Sequence, residues 1–127
     1  MCIRDSTNSS CGTSSAYTIT KITNTTVASG CTNTSAFGSF AAPAPGAGPY
    51  QIATNQYQSE YNTMTGAVAG HTFTSTGSIA GTYITVHAGT YNGTIVAAGT
   101  TPLNWTAAAG GSYYIHYNTN SSCGTAS

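Results

Sequence analysis

The stretch that decides the fold is residues 71–118, which read HTFTSTGSIAGTYITVHAGTYNGTIVAAGTTPLNWTAAAGGSYYIHYN. Its clearest part is Thr82–His87, in which Ile84 and Val86 alternate with residues that face the other way. Successive side chains of a β-strand point to opposite faces, so this pattern predicts a strand. The segment 112–118 alternates in the same way. We therefore predict a series of short strands here.

Turn residues separate the predicted strands. Asn92-Gly93 predicts a two-residue type I′ hairpin turn, because both central positions of that turn have positive φ and Asn and Gly tolerate it best. Turn signals recur about every 8–12 residues, which is typical of a β-sandwich, and no stretch has the 3.6-residue period of a helix. The predicted fold class is all-β, an antiparallel sandwich of the jelly-roll or immunoglobulin-like type.

The composition restricts the function classes. Of 127 residues, 39% are hydrophobic and only 3% are charged, against about 25% charged in an average domain. Aromatic residues placed in alternating runs argue against disorder. The formal net charge is zero, so no basic surface for nucleic acid is expected. No apolar run approaches the ~18 residues that a membrane-spanning helix needs.

The first six residues, MCIRDS, match the peptide obtained by translating a transposon end sequence used to prepare sequencing libraries. We interpret residues 1–6 as an artefact and exclude them from the fold, with a genuine short N-terminus as the alternative. Under this interpretation Cys2 drops out, and Lys21 and Glu60 are the only charged residues that count.

A nine-residue segment occurs twice. Residues 7–15 read TNSSCGTSS and residues 119–127 read TNSSCGTAS, which agree at eight of nine positions. The interval is 119 − 7 = 112 residues, about the length of one β-sandwich domain. The simplest interpretation is one whole repeat preceded by the tail of another, residues 7–15, in a longer protein.

The remaining chain divides into three segments. Residues 16–40 form an N-terminal segment whose β-branched and Thr-rich composition predicts strand. Residues 41–49, AAPAPGAGP, form a Pro/Gly linker or long surface loop, because proline removes backbone donors. Residues 50–127 are then the main β-sandwich core. Within it Trp105 shares a face with Leu103, so we expect its indole to be buried.

Three segments carry a resemblance to a known family. They are SEYNTMTGAVAGHTFTSTGSIAGTYITVHAG, GTTPLNWTA and GGSYYIHYNTNSSCGTAS. Together they resemble repeat modules of large secreted surface proteins of Bacteroidetes-type bacteria, which look like relatives of the bacterial pre-peptidase C-terminal domain, a jelly-roll β-sandwich. The resemblance covers about residues 57–127. It implies a non-catalytic module appended to adhesins, sorting-domain proteins or secreted enzymes. Ile79-Ala80-Gly81 stands where that family commonly has an acidic pair, so we expect no calcium site.

Little in the sequence could carry catalysis or hold a metal. Calcium needs several oxygen ligands, glycoside hydrolysis needs paired carboxylates, and no G-x-S-x-G motif is present. The three histidines, His71, His87 and His116, each lie in a predicted strand. We expect His87 and His116 to point outward to solvent, and the alternative is a cross-strand zinc pair on one face. We predict no enzyme activity, no metal and no cofactor.

The cysteines indicate an oxidising, extracellular compartment. The disulfide candidates are Cys11, Cys31 and Cys123. One possible pairing is Cys11–Cys31, and the other is Cys31–Cys123, which would join the two ends of one repeat. Unpaired thiols are the third possibility. We prefer Cys11–Cys31, because Cys123 would then pair with a cysteine beyond the sequence given.

A ligand site is harder to locate. Tyr91 and Asn92, beside the predicted turn, are weak ligand-contact candidates, and the alternative for Tyr91 is a residue that packs the turn. The predicted function is a non-catalytic repeat module of a large bacterial surface or secreted protein, acting as an adhesive or structural spacer. A carbohydrate-binding module, or an ancillary domain of a secreted hydrolase, is the alternative. Expected partners are neighbouring copies of the module and glycans.

Overall fold

The computed structural model describes residues 29–127, and residues 1–28, including Cys11 and most of the predicted 16–40 strand segment, lie outside the described part. The described chain contains seven strands and no helix. The strands are β1 (Ser35–Ala41), β2 (Glu60–Ala67), β3 (Thr72–Ser75), β4 (Tyr83–Ala88), β5 (Thr94–Thr100), β6 (Leu103–Thr106) and β7 (Gly111–Asn118).

The strands form two sheets packed face to face. The larger sheet has the order β1-β2-β7-β4-β5, and the smaller sheet pairs β3 with β6. All the pairings are antiparallel except β1 with β2. This arrangement is an all-β sandwich and confirms the predicted fold class. The strand β1, in which alternation is weak, had not been predicted as a separate edge strand.

The core lies between the sheets. Val86 on β4 pairs with Ile115 on β7, so the two side chains share the inner face of the large sheet. Trp105 on the small sheet packs over them, with its ring centroid 5.0 Å from that of Tyr113 and 4.9 Å from that of Phe73. The predicted burial of Trp105 is confirmed. Large apolar side chains of this kind supply most of the free energy that favours folding.

The β4–β5 hairpin forms, but its turn differs from the prediction. The loop is five residues long, Gly89–Gly93, and its left-handed residue is Gly89, with φ of 81°. Neither Asn92 nor Gly93 has positive φ, so the predicted type I′ turn is wrong. The pairing also has a register shift, because Val96 on β5 is an extra residue opposite Val86 and His87. Gly93 is still required, because a Cβ there would collide with the Ala88 carbonyl oxygen.

Candidate functional site

The outer face of the large sheet is covered by residues 29–34, which we call the strap. On β4 the outward-facing Thr85 and His87 are as inaccessible as the inward-facing Ile84 and Val86, all at 2% exposure or less. A sheet with only one buried face would leave the outward residues in solvent. The strap therefore turns the outer face of β4 into a second buried layer.

Hydrogen bonds hold the strap along β4. The Tyr83 hydroxyl donates to the Ser29 carbonyl oxygen at 2.8 Å, and the Cys31 amide donates to Thr85 Oγ1 at 2.8 Å. Gly30 lies so close to the sheet that a Cβ there would collide with the methyl group of Thr85. Thr85 thus supplies both an acceptor and a contact surface, and only glycine fits opposite it.

Asn33 fixes the other end of the strap over β7. Its side-chain amide donates to the carbonyl oxygens of Glu60 at 3.0 Å and Tyr117 at 3.1 Å, and its Oδ1 accepts from Asn118 Nδ2 at 3.0 Å. Its backbone amide donates to His116 Nδ1 at 2.9 Å. One buried residue therefore links the strap to β7 and to the start of β2, and its polar atoms are paired as burial requires.

A disulfide bond closes the strap against the C-terminal end of the described chain. It joins Cys31 to Cys123, with a Cα–Cα distance of 5.4 Å and 92 residues between them in sequence. The preferred Cys11–Cys31 pairing is therefore wrong. The physical reason is that the strap lies on the sheet beside the turn that follows β7, where Cys31 Sγ also approaches the Asn120 carbonyl oxygen. No cysteine within residues 29–127 remains reduced.

The strap also explains the environment of two histidines. His87 and His116 were expected to face solvent, and this expectation is wrong, because they are 2% and 0% exposed beneath the strap. Their rings meet edge to face with centroids 4.6 Å apart. They do lie on adjacent strands and on one face, as a cross-strand zinc pair would need. Within residues 29–127, however, no three side chains of His, Cys, Asp or Glu come together to hold a metal.

The ring nitrogens of this pair have mostly protein partners. His87 Nδ1 lies 2.7 Å from the Gly93 carbonyl oxygen, and its Nε2 lies 3.1 Å from the Cys31 carbonyl oxygen. His116 Nδ1 accepts from the Asn33 amide, which leaves its proton on Nε2, and that buried nitrogen has no partner. Burial and the neighbouring His87 lower the pKa of His116 to about 4. His116 is therefore neutral at neutral pH, as a buried structural histidine.

The predicted ligand candidates Tyr91 and Asn92 lie in the β4–β5 loop and are exposed. The Tyr91 ring stacks on Tyr61, with centroids 5.8 Å apart and planes 10° apart. Asn92 Oδ1 accepts from the Thr90 hydroxyl at 3.2 Å, within the same loop. One face of the Tyr91 ring is thus used for packing, and the pair offers no flat platform of two rings facing solvent.

A cleft of about 970 Å³ lies on the other side of the large sheet. The small sheet covers only part of the inner face, and the long loop of residues 42–59 between β1 and β2 arches over the rest. Trp105, Ile115 and Tyr117 line the cleft from the two sheets. Pro43, Pro45 and Pro49 lie in the loop wall. The Pro/Gly segment predicted as a linker or loop is therefore one wall of this cleft.

The lining of the cleft combines aromatic rings with neutral polar groups. The aromatic residues are Phe40, Tyr50, Tyr57, Phe73, Trp105 and Tyr117. Gln51, Gln56 and Gln58 contribute side-chain amides, and among residues 29–127 no Lys, Arg, Asp or Glu lines the cleft. Burial raises the pKa of Tyr117 to about 12, so its hydroxyl keeps its proton. The sequence predicted the long Pro/Gly loop that forms one wall of this site. It did not predict which surface of the sandwich the loop covers.

The fold and these two features define the class of protein as a disulfide-bonded all-β sandwich. No family model, curated protein or solved structure matches the chain. The part of the chain that the structure describes has no helix capable of crossing a membrane.

Proposed function

We propose that this chain is a non-catalytic extracellular module of a bacterial repeat protein, and that it serves as a structural and adhesive spacer. The observation that carries the proposal is the Cys31–Cys123 disulfide, which joins the strap to the C-terminal turn. Disulfides of this structural kind form and persist in oxidising compartments. The bond links the strap covalently to the turn that follows β7.

The repeated segment suggests which cysteines pair in an array of copies. In the 112-residue period, Cys11 stands where Cys123 stands one copy later. Cys11 then belongs to the preceding copy, and each copy forms its own strap disulfide. Neighbouring copies are the partners that this arrangement implies.

The surface chemistry supports a passive role. Within residues 29–127 the only charged side chain is Glu60, and its carboxylate accepts from the Tyr57 backbone amide at 2.9 Å. The carboxylate thus stabilises the turn before β2. Hydrolysis by an acid pair would need a second carboxylate beside Glu60, and a Ser-His-acid triad would need a serine and a histidine beside it. The two alternatives remain a carbohydrate-binding module and an ancillary domain of a secreted hydrolase, and the cleft favours the first of them.

The experiment that tests the proposal starts with the gene. Long-read sequencing across both ends is expected to show further 112-residue copies, with native sequence in place of MCIRDS. Proteins of one, two and three copies are then expected to give a maximum dimension by small-angle scattering that increases by a constant increment. Peptide mapping without reduction should find one Cys31–Cys123 bond per copy. A gene with no second copy, or disulfides that join different copies, would refute the array.

A further inference from the structure

We propose that the cleft between the sheets binds a neutral oligosaccharide. The inference deepens the proposed function, because it names what an adhesive module would hold, and it rests on that function in placing the module outside the cell. The site is distinct from Tyr91 and Asn92, which lie on the β4–β5 loop.

The shape is that of a ligand site. A volume of about 970 Å³ lies at the upper end of the ~300–1,000 Å³ typical of small-molecule and cofactor sites. Its floor is the inner face of the large sheet, where Ile115 and Tyr117 lie, and Phe73 and Trp105 form the side next to the small sheet. A floor built on paired strands holds the lining side chains in place before a ligand arrives, which reduces the entropy that binding costs.

The aromatic rings suit the apolar faces of sugar rings. Tyr50 and Tyr57 line the cleft and are 63% and 51% exposed, so both rings are available at its rim. Tyrosine combines a flat apolar body with a polar tip, which suits contact with a ligand that is itself partly apolar and well hydrated. Tyr50 also lies 6.3 Å, centroid to centroid, from Phe40 within the lining. The rim therefore offers two exposed aromatic rings along one cleft.

The polar groups match hydroxyls and exclude ions. The lining that the described part of the chain provides contains three glutamines and several threonines but no Lys, Arg, Asp or Glu. An ionised ligand entering this site would lose hydration without gaining a counter-charge, and that is costly. Gln56, which lines the cleft, has a buried side-chain nitrogen, Nε2, without a hydrogen-bond partner. A neutral ligand rich in hydroxyl groups supplies the acceptor oxygens that such an amide nitrogen needs.

A peptide fits this lining less well. An extended peptide needs backbone donors and acceptors along both of its edges. One wall of the cleft carries Pro43, Pro45 and Pro49, which have no backbone N–H to donate. The lining instead supplies side-chain amides and hydroxyls as its polar groups. The observations therefore favour a saccharide over a peptide, and a peptide probe becomes an arm of the test.

The test uses the full 127-residue chain and defined probes. Isothermal titration calorimetry is run with cellohexaose, xylohexaose and mannohexaose, with hexagalacturonate as the charged counterpart and a neutral Thr/Pro decapeptide as the peptide probe. Trp105 is the only tryptophan and lines the cleft, so its fluorescence reports on the site. We expect at least one neutral hexasaccharide to bind with a Kd below about 1 mM and to change Trp105 emission.

Matched variants locate the site. Tyr57→Ala and Tyr50→Ala remove exposed rings at the rim and should each weaken binding by about tenfold, while leaving the fold intact. Tyr91→Ala removes an exposed ring from the β4–β5 loop and should change affinity by less than about twofold. Circular dichroism and the unfolding midpoint of each variant check folding. An equal loss in Tyr91→Ala would overturn the assignment to the cleft.

Further outcomes would also overturn the inference. They are no neutral hexasaccharide binding, tighter binding of hexagalacturonate than of every neutral probe, or binding of the decapeptide alone. The result is separable from the array proposal. A gene without repeats and a module that binds saccharide would refute the array and leave the ligand site standing. A gene with repeats and a cleft that binds no saccharide would support the array and refute the ligand site.

Discussion

Cys31 and Cys123 are 92 residues apart in the chain, yet their Cα atoms are 5.4 Å apart. The bond encloses nearly the whole described chain in one loop. A cross-link of this span restricts the unfolded ensemble strongly, whereas the folded sandwich already holds both residues close together. The disulfide should therefore stabilise the module mainly through the unfolded state.

Removing this bond should be among the most destabilising changes on the strap. The double variant Cys31→Ser/Cys123→Ser is expected to lose about 4 kcal/mol of unfolding free energy, from the loop length that the bond closes. Urea unfolding followed by Trp105 fluorescence measures the loss. A background with Cys2 and Cys11 replaced by alanine prevents disulfide exchange. The reduced parent protein should have the same unfolding free energy as the double variant. A loss below about 1 kcal/mol would show that the disulfide does not stabilise the module as proposed.

Gly30 should be intolerant of any side chain. Gly30→Ala places a Cβ against the methyl group of Thr85 and the end of Ile95, so the strap must lift or the sheet must shift. Overpacking of this kind typically costs about 1–3 kcal/mol. Gly48→Ala is the matched control, because nothing lies within 4 Å of a Cβ there, and it should change stability by less than about 0.5 kcal/mol. Equal effects in the two variants would show that the strap does not lie against Thr85.

Asn33→Asp tests the polar end of the strap. The substitution keeps the shape but replaces two donated hydrogen bonds with a carboxylate oxygen facing the carbonyl oxygens of Glu60 and Tyr117. We expect a loss of about 3 kcal/mol at pH 7, since buried charge without a donor is costly.

Asn104→Asp serves as the control for Asn33→Asp. Asn104 is exposed, and its Oδ1 accepts from the Thr74 hydroxyl, which a carboxylate can still do. Its unfolding midpoint in urea should therefore stay close to that of the parent. Equal decreases of the unfolding midpoint in the two aspartate variants would show that the Asn33 side chain does not hold the strap.

His116 should make the module acid-labile in a defined window. Its pKa is lowered from 6.5 to about 4, by burial first and by His87 second, so the folded state keeps it neutral while the unfolded state protonates it. Its contribution is fully present above about pH 6.5 and is lost as pH falls towards 4, at up to about 1.4 kcal/mol per pH unit.

The variant His116→Asn isolates this contribution. Its Oδ1 can accept from the Asn33 amide in place of Nδ1 but does not titrate. Urea unfolding between pH 7 and pH 4 should show a shallower fall in stability for the variant than for the parent. Parallel curves would assign the acid lability to other groups.

The local pattern was enough to predict the sandwich and its centre. Trp105 shares a face with Leu103 by simple alternation, and the alternating segment 112–118 became β7. Such patterns depend only on residues close together in the chain, so they can be recognised without knowing which strands pair. The turn at Gly89–Gly93 was misjudged because the loop has five residues rather than two, and loop length depends on the register in which β4 and β5 pair.

The candidate sites depended on contacts that no local pattern records. His87 and His116 lie on polar faces of their strands, and outward orientation is what alternation predicts for them. They became buried because residues 29–34, more than 50 positions earlier, cross over that face. The same crossing selected Cys123 as the partner of Cys31.

The sequence by itself determined the all-β class, the inward face of each strong strand and the absence of a charged surface, since these follow from residue type and a two-residue period. Only the tertiary structure decided which outward faces are buried, which cysteines meet and where the long Pro/Gly loop leaves a cleft. Those features arise from packing between segments far apart in the chain, where the free energy depends on the joint fit of surfaces rather than on the preference of any one residue.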